Sequence, residues 1–331
     1  MNTTIVAGST SAQAPPRCPG LAARAGWRKL KDRLAARSFL LLTLLPPGLV
    51  LAMLVALALR ARPLLETASV GQLLTGRTWQ PFQGQFGFYP FIVGTLWVTG
   101  VAMVLAVPPS LLSAIYLVEY AGRPTRALMK PLLDLLAGIP SVVYGVWGVV
   151  AIVPWVQSFL SPFLSKWLGF IPLFSSTNPT GFSIMAGSIV LAVMIVPVIV
   201  AVSYEVMQAV PDGLREASLA VGATKWQTVK HAVLPQARPG IIAAVVLGLS
   251  RAFGETMAVL MVVGNVPRVP SSVFDPAYPL TALIANNYGE MLSIPLYDAA
   301  LLGAALVLLA VVLAFNILSA LILRQVTRRY A

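Results

Sequence analysis

Apolar runs about the length of a bilayer crossing alternate with short polar stretches along most of this chain. A helix needs roughly 20 mainly apolar residues to cross the hydrocarbon. Six stretches meet that requirement: residues 39–59, 90–117, 132–159, 182–202, 241–263 and 299–323. The pattern predicts an all-α polytopic membrane protein with six transmembrane helices. Proline marks the expected irregularities. Pro46-Pro47 and Pro108-Pro109 predict a kink or break in the first and second spans, and Pro197 lies inside the fourth. Pro140-Ser141 predicts a broken helix in the third.

The pattern divides the chain into a flexible basic tail (1–37), a first span (38–60), an outer loop (61–89), a five-helix core (90–323) and a short second tail (324–331). The run at 39–59 is longer than the apolar part of a leader peptide, so it reads as a retained span. QPFQGQFGFY, residues 80–89, reads as an interfacial loop. The outer segments 60–89, 160–181 and 264–298 are too short for a binding domain with its own core. A substrate-capturing module must be another chain.

Composition agrees and narrows the classes. The chain of 331 residues is 58% hydrophobic and 10% charged, with a mean hydropathy of +0.83. Soluble domains carry about 25% charged residues, so a cytosolic enzyme, a disordered chain and a disulfide scaffold are excluded. One cysteine, Cys18, and one histidine, His231, leave no material for an internal disulfide or a Cys/His metal site. The net charge of +12 would suggest nucleic acid in a soluble protein, but the positions of the 23 basic residues give another meaning. Seventeen lie on the side of the termini and of the 122–131 and 204–240 connections, five lie on the other, and Arg251 falls inside a span. Positive charge gathers on the cytoplasmic side. The termini are therefore expected there, with no nucleic-acid partner and with anionic membrane lipid as a partner of the basic tail.

Two places carry candidate chemistry. The connection at 204–240 reads EASLAVGATKWQTVKHAVLPQARPG from Glu216 to Gly240. Two short helices flanking Gly222 are expected, with Pro211 starting the first, Gly222 left-handed at its end, and Thr224 capping the second. Trp226, Val229 and Val233 share one face, and Pro235 and Pro239 end the excursion. An amphipathic loop lying on the membrane and a docking knob both fit this pattern. The second place is Arg251 with Glu255, four residues apart and so on one helix face. A charge at mid-span costs about 2.5–3.5 kcal/mol on insertion scales, so such residues face inward and pair. A structural ion pair and a pathway site, with the Arg251 fork offered to an oxyanion and Thr256 adding a hydroxyl, both fit. At the third-span break, Ser141 and Tyr144 are pathway candidates beside a plain packing kink. Asp134 and Asp298 read as interfacial.

The 216–240 segment resembles the EAA loop of ABC-importer permeases through Glu216, Ala217, Gly222, Leu234 and Pro235. Ser218 stands where the pattern has a second alanine, and Ala232 where it has a larger aliphatic. LAGIPSVVYGVWG (136–148), STNPTGFSIMAGSIVLAVMIVP (176–197) and SRAFGETMAVLMVVGN (250–265) resemble signatures of the phosphate-specific (Pst) permeases. PSVVYG and GETMAV are closer to the C-type than to the A-type subunit. The resemblance covers residues 91–323. It implies a type I ABC-importer permease that forms half of a phosphate pathway. It also implies a second homologous permease subunit, an ATPase dimer docked on the coupling loop, and an extracytoplasmic phosphate-binding protein. The chain has no G-x-x-x-x-G-K-[ST]. No cofactor is expected in it, ATP and Mg being bound by the partner ATPase, and the chain is not itself an enzyme. A permease for molybdate or sulfate is the alternative within the fold. An ion-coupled secondary transporter using Arg251 and Glu255 is the alternative outside it.

Overall fold

The computed structural model describes residues 19–175, 178–290 and 294–330, with side chains described from residue 31 to 325. The first 18 residues, Cys18 among them, and Ser176 and Thr177 of the fourth-span signature lie outside the described residues. By internal packing the chain divides into residues 1–55 and 56–331. Six described helices are long and apolar enough to cross a membrane.

Helix α1 (Pro19–Thr67) is much longer than the expected span. The segment 19–37, expected to be flexible, is helical because Leu, Ala, Arg and Lys dominate it, all strong helix formers. Helicity also continues through Pro46-Pro47, where a kink or break was expected. After the short α2 (Val70–Thr75), the polar and aromatic stretch forms a small hairpin. Its strands are β1 (Trp79–Gln80) and β2 (Gln85–Phe86), with Gly84 left-handed at the turn.

Helix α3 (Tyr89–Ile115) carries on as a π-helical turn, Tyr116–Tyr120, and again the prolines Pro108-Pro109 do not break it. Packing on both sides of them holds the helix. Val98, Ala102, Ala106, Ser110 and Ala114, spaced four apart, are all buried. Small residues at this spacing let two membrane helices approach closely. The partner is α6 (Ile184–Gln208), whose Ser188 hydroxyl donates to the Val98 carbonyl at 3.0 Å. Helix α6 is the centre of the fold, with 72% of its most apolar window buried, against 6% in α11 (Tyr297–Tyr330).

The third stretch does not form one span from residue 132. An amphipathic helix α4 (Arg123–Gly138) buries none of its residues and stops at Ile139-Pro140. The span proper is α5 (Ser141–Leu168), so the break expected at Pro140-Ser141 is present and the boundary moves. Two π-helical turns widen α5, and in the first of them Gly148 lets α6 approach. A Cβ there would lie 2.7 Å from Val190 and 2.7 Å from Val262. Both neighbours are β-branched and stiff. Gly148→Ala should therefore destabilise the protein by about 1–3 kcal/mol. Gly100, also helical, has nothing within 4 Å, and Gly100→Ala should be neutral or stabilising. Thermal midpoints of the purified protein in detergent check the pair, and equal midpoints would refute the packing argument.

The fifth and sixth spans are joined by a segment that was expected to be an outer loop. Much of it packs into the protein core. Val273, Phe274, Ala277 and Tyr278 are buried, and α10 (Leu280–Asn287) buries Leu280 to Leu283. The segment also completes α6. The Ile184 and Met185 amides, orphans at a helix start, donate to the Asp275 and Val273 carbonyls at 3.0 and 2.8 Å.

Candidate functional site

The 204–240 connection builds the helix–glycine–helix unit that its residues predict. Helix α7 (Asp212–Ala220) begins after Pro211. It ends with Gly222 at φ +84°, where the Gly222 amide donates to the Leu219 carbonyl (2.9 Å) and the Ala223 amide to the Ser218 carbonyl (3.2 Å). These two bonds define a Schellman motif. Thr224 then caps the next helix in a capping box. The Gln227 amide donates to Thr224 Oγ1 at 3.3 Å, and the Thr224 amide donates to Gln227 Oε1 at 2.7 Å. The hydroxyls of Ser218 and Thr228 meet at 3.0 Å and tie the two helices together. Glu216, Ala217 and Gly222 are exposed.

Two expectations about this connection need correction. Val229 and Val233 are fully buried, but Trp226 is 51% exposed and does not share their burial. Pro235 does not end the excursion. Helix α8 (Lys225–Gly254) runs from the loop straight into the fifth span. A π-helical turn, Val229–Val233, absorbs the proline, and the Leu234 amide donates five residues back to the Val229 carbonyl. Leu234 and Pro235 are half-buried beside a cavity of about 370 Å³ shared with Ile115 and Met207.

The mid-span charges are arranged differently from the expectation of one helix face. Helix α8 ends at Gly254, Glu255 is extended (φ −73°, ψ 124°), and a new short helix α9 (Met257–Val262) follows. The break removes the i, i+4 relation, and the described ion pairs do not include Arg251 with Glu255. Glu255 Oε1 instead accepts from the Ala258 amide at 3.2 Å, and the Glu255 carbonyl accepts from the Thr281 hydroxyl of α10 at 3.2 Å. Glu255 borders, with Thr95, Thr99 and Thr281, a cavity of about 10 Å³. That is room for one water at most. Arg251 is exposed in the last turn of α8. Thr256 is half-buried at the break, its hydroxyl 3.4 Å from the Gly254 carbonyl.

The second break lies close by. The buried Tyr144 hydroxyl donates to the Leu136 carbonyl at 2.8 Å, so it satisfies an acceptor freed where α4 stops. Ser141 opens α5. A Cβ on Gly145 would lie 3.2 Å from Ala258, so the first turns of α5 pack on α9. Ser141, Tyr144, Arg251, Glu255 and Thr256 therefore belong to two facing helix breaks, at 139–140 and 255–256. Irregular backbone at membrane depth is tolerated only within protein or beside a water-lined cavity.

One residue escaped the sequence reading. Arg215, counted there only as a loop charge, joins α7 to the end of α3 through Glu119 at 3.1 Å. Its position just before Glu216 was the only available signal.

The chain matches the family model described as "binding-protein-dependent transport system inner membrane component" over residues 106–331. A protein of Xylella fastidiosa named phosphate transport system permease protein PstC is 36% identical over 92% of this chain and 95% of its own length. The protein of that name from Haemophilus influenzae is 37% identical over 77% of this chain and 81% of its own. A chain in the crystal structure of a bacterial alginate ABC transporter has the same fold, with a TM-score of 0.60 at 19% identity, over 91% of this chain and 98% of that one. The family match places the chain among the inner membrane components of binding-protein-dependent transport systems. Within that class, the chain belongs to the family of PstC phosphate transport system permease proteins.

Proposed function

We propose that the chain is the permease subunit of an ATP-driven importer of inorganic phosphate, forming half of the pathway. One observation carries the reading. The exposed helix–Gly222–helix knob runs without interruption into a membrane span, in a chain 36% identical to a phosphate permease along nearly its whole length. A rigid knob of this kind passes a rigid-body movement from a soluble motor into the membrane. The motor is a separate ATPase dimer that binds ATP and Mg; this subunit carries out no bond chemistry. A second, homologous permease completes the pathway, and an extracytoplasmic phosphate-binding protein delivers the anion. Both termini and the 204–240 loop face the cytoplasm, supported by the 17 basic residues on that side.

The two facing breaks supply the pathway residues. Arg251 offers a planar fork of N–H donors to the phosphate oxygens. Ser141 and Thr256 add hydroxyls, and Glu255 and Tyr144 line the same region. The reading is tested by uptake of labelled phosphate into proteoliposomes that hold the full complex, with molybdate and sulfate as competitors. Uptake should need ATP and resist both competitors. Uptake that persists with an inactivated ATPase, or that either competitor abolishes at equal concentration, would refute it.

A further inference from the structure

The way α7 is mounted has a mechanical consequence. This helix is the first half of the exposed knob, and none of its residues is buried. It therefore lacks a buried apolar anchor of its own. Arg215 provides a polar one. Its Nε donates to Glu119 Oε1 at 3.1 Å, Nη1 to the Val210 carbonyl at 2.5 Å and to Asp212 Oδ1 at 3.0 Å, and Nη2 to the Met207 carbonyl at 2.8 Å. Four of the five guanidinium N–H groups are thus engaged. The Arg215 and Glu119 side chains are only 15% and 8% exposed, whereas Asp212 is 88% exposed and solvated. The strong partners are therefore Glu119, in the π-helical turn that ends α3, the Met207 carbonyl in the last turn of α6, and the Val210 carbonyl just after it.

Those partners belong to two different spans. The other half of the knob is already continuous with a third, α8. Lys225, at the start of α8, stands 5.0 Å over the ring of Tyr120, the neighbour of Glu119. The end of α3 thus meets both halves of the knob.

We propose that the Glu119–Arg215 pair is a positioning element that carries movement of the coupling loop into α3 and α6, while α8 receives it directly. A largely buried charge pair held by several directional hydrogen bonds suits this task because it resists both sliding and rotation, which an apolar contact does not. The inference rests on the reading of the chain as an importer permease.

The test uses the full complex in proteoliposomes and the variant Glu119→Gln, which keeps an acceptor oxygen but removes the charge. Three quantities are measured: co-purification of the ATPase, ATP hydrolysis with and without the binding protein, and phosphate imported per ATP. Co-purification and basal hydrolysis should stay within about twofold of wild type, while the response to binding protein and the phosphate-to-ATP ratio fall about tenfold. Arg215→Lys, which keeps the charge but not the fork, should fall between the two. An unchanged ratio in both variants would overturn the proposal. So would loss of the ATPase from both, because the pair would then only hold the docking surface together. The response of hydrolysis to binding protein is read without transported substrate. A wild-type complex that responds but imports no phosphate would count against the phosphate reading alone.

Discussion

Replacing Arg251 and Glu255 together by glutamine should abolish phosphate uptake while leaving the subunits assembled. Hydrogen bonds to charged groups contribute about 1.5–3 kcal/mol, or roughly ten- to a hundredfold in a rate or affinity that depends on one. Loss of the Arg251 charge should lower uptake by about that factor, because a neutral amide offers an anion fewer donors and no net attraction. Glu255→Gln should do less. Its amide still has an oxygen to accept from Ala258, so the cap of α9 survives. The helix break gives the comparison a second edge. Had the two residues formed an ion pair, the double variant would resemble the worse single one. Among the described residues they share no hydrogen-bond or ion-pair partner, so the double variant should be worse than either single one. Normal uptake by an assembled double variant would reduce both residues to packing.

Gly222→Val should cost the complex its ATPase. A Cβ at Gly222 would meet nothing within 4 Å, so sterics with neighbours play no part. The penalty lies in the backbone, since φ is +84°. A left-handed residue with a side chain costs about 1–2 kcal/mol, and a β-branched one is the least tolerated. Relaxing φ would break the Schellman bonds and swing α7 away from the Thr224 cap. The angle between the two halves of the knob would then be lost. Co-purification of the ATPase should fall about tenfold, the equivalent of 1.4 kcal/mol. Gly222→Asn, which tolerates the left-handed region, should retain most of it. Equal retention by both variants would refute the argument.

The spans, the loop motif and the family were legible along the chain because each is carried by local order. A bilayer crossing is a property of about 20 consecutive residues, and the 216–235 motif lies within one connection. Breaks were read less well. Proline marked the break at 139–140 correctly, but it also marked Pro46-Pro47 and Pro108-Pro109, where helix continues. The break at Glu255 has no proline at all. There the Glu255 carbonyl accepts from the Thr281 hydroxyl of α10. No local rule can supply a partner 26 residues away.

By itself, then, the sequence determined that the protein is a six-span membrane permease of an importer family, with a capped helix–glycine–helix loop and two mid-span charges. Hydropathy and capping depend on neighbours along the chain, and they needed nothing else. Only the tertiary structure decided which span is central. Lipid tails are as apolar as a protein core, so hydropathy cannot separate buried α6 from exposed α11. It also buried much of the 264–298 connection, left Arg251 with Glu255 out of the described ion pairs, and joined Glu119 to Arg215. Each of these rests on a polar partner or a close approach from a distant part of the chain. The physical reason is the same throughout: a buried polar group must be satisfied, but sequence order does not say by which residue.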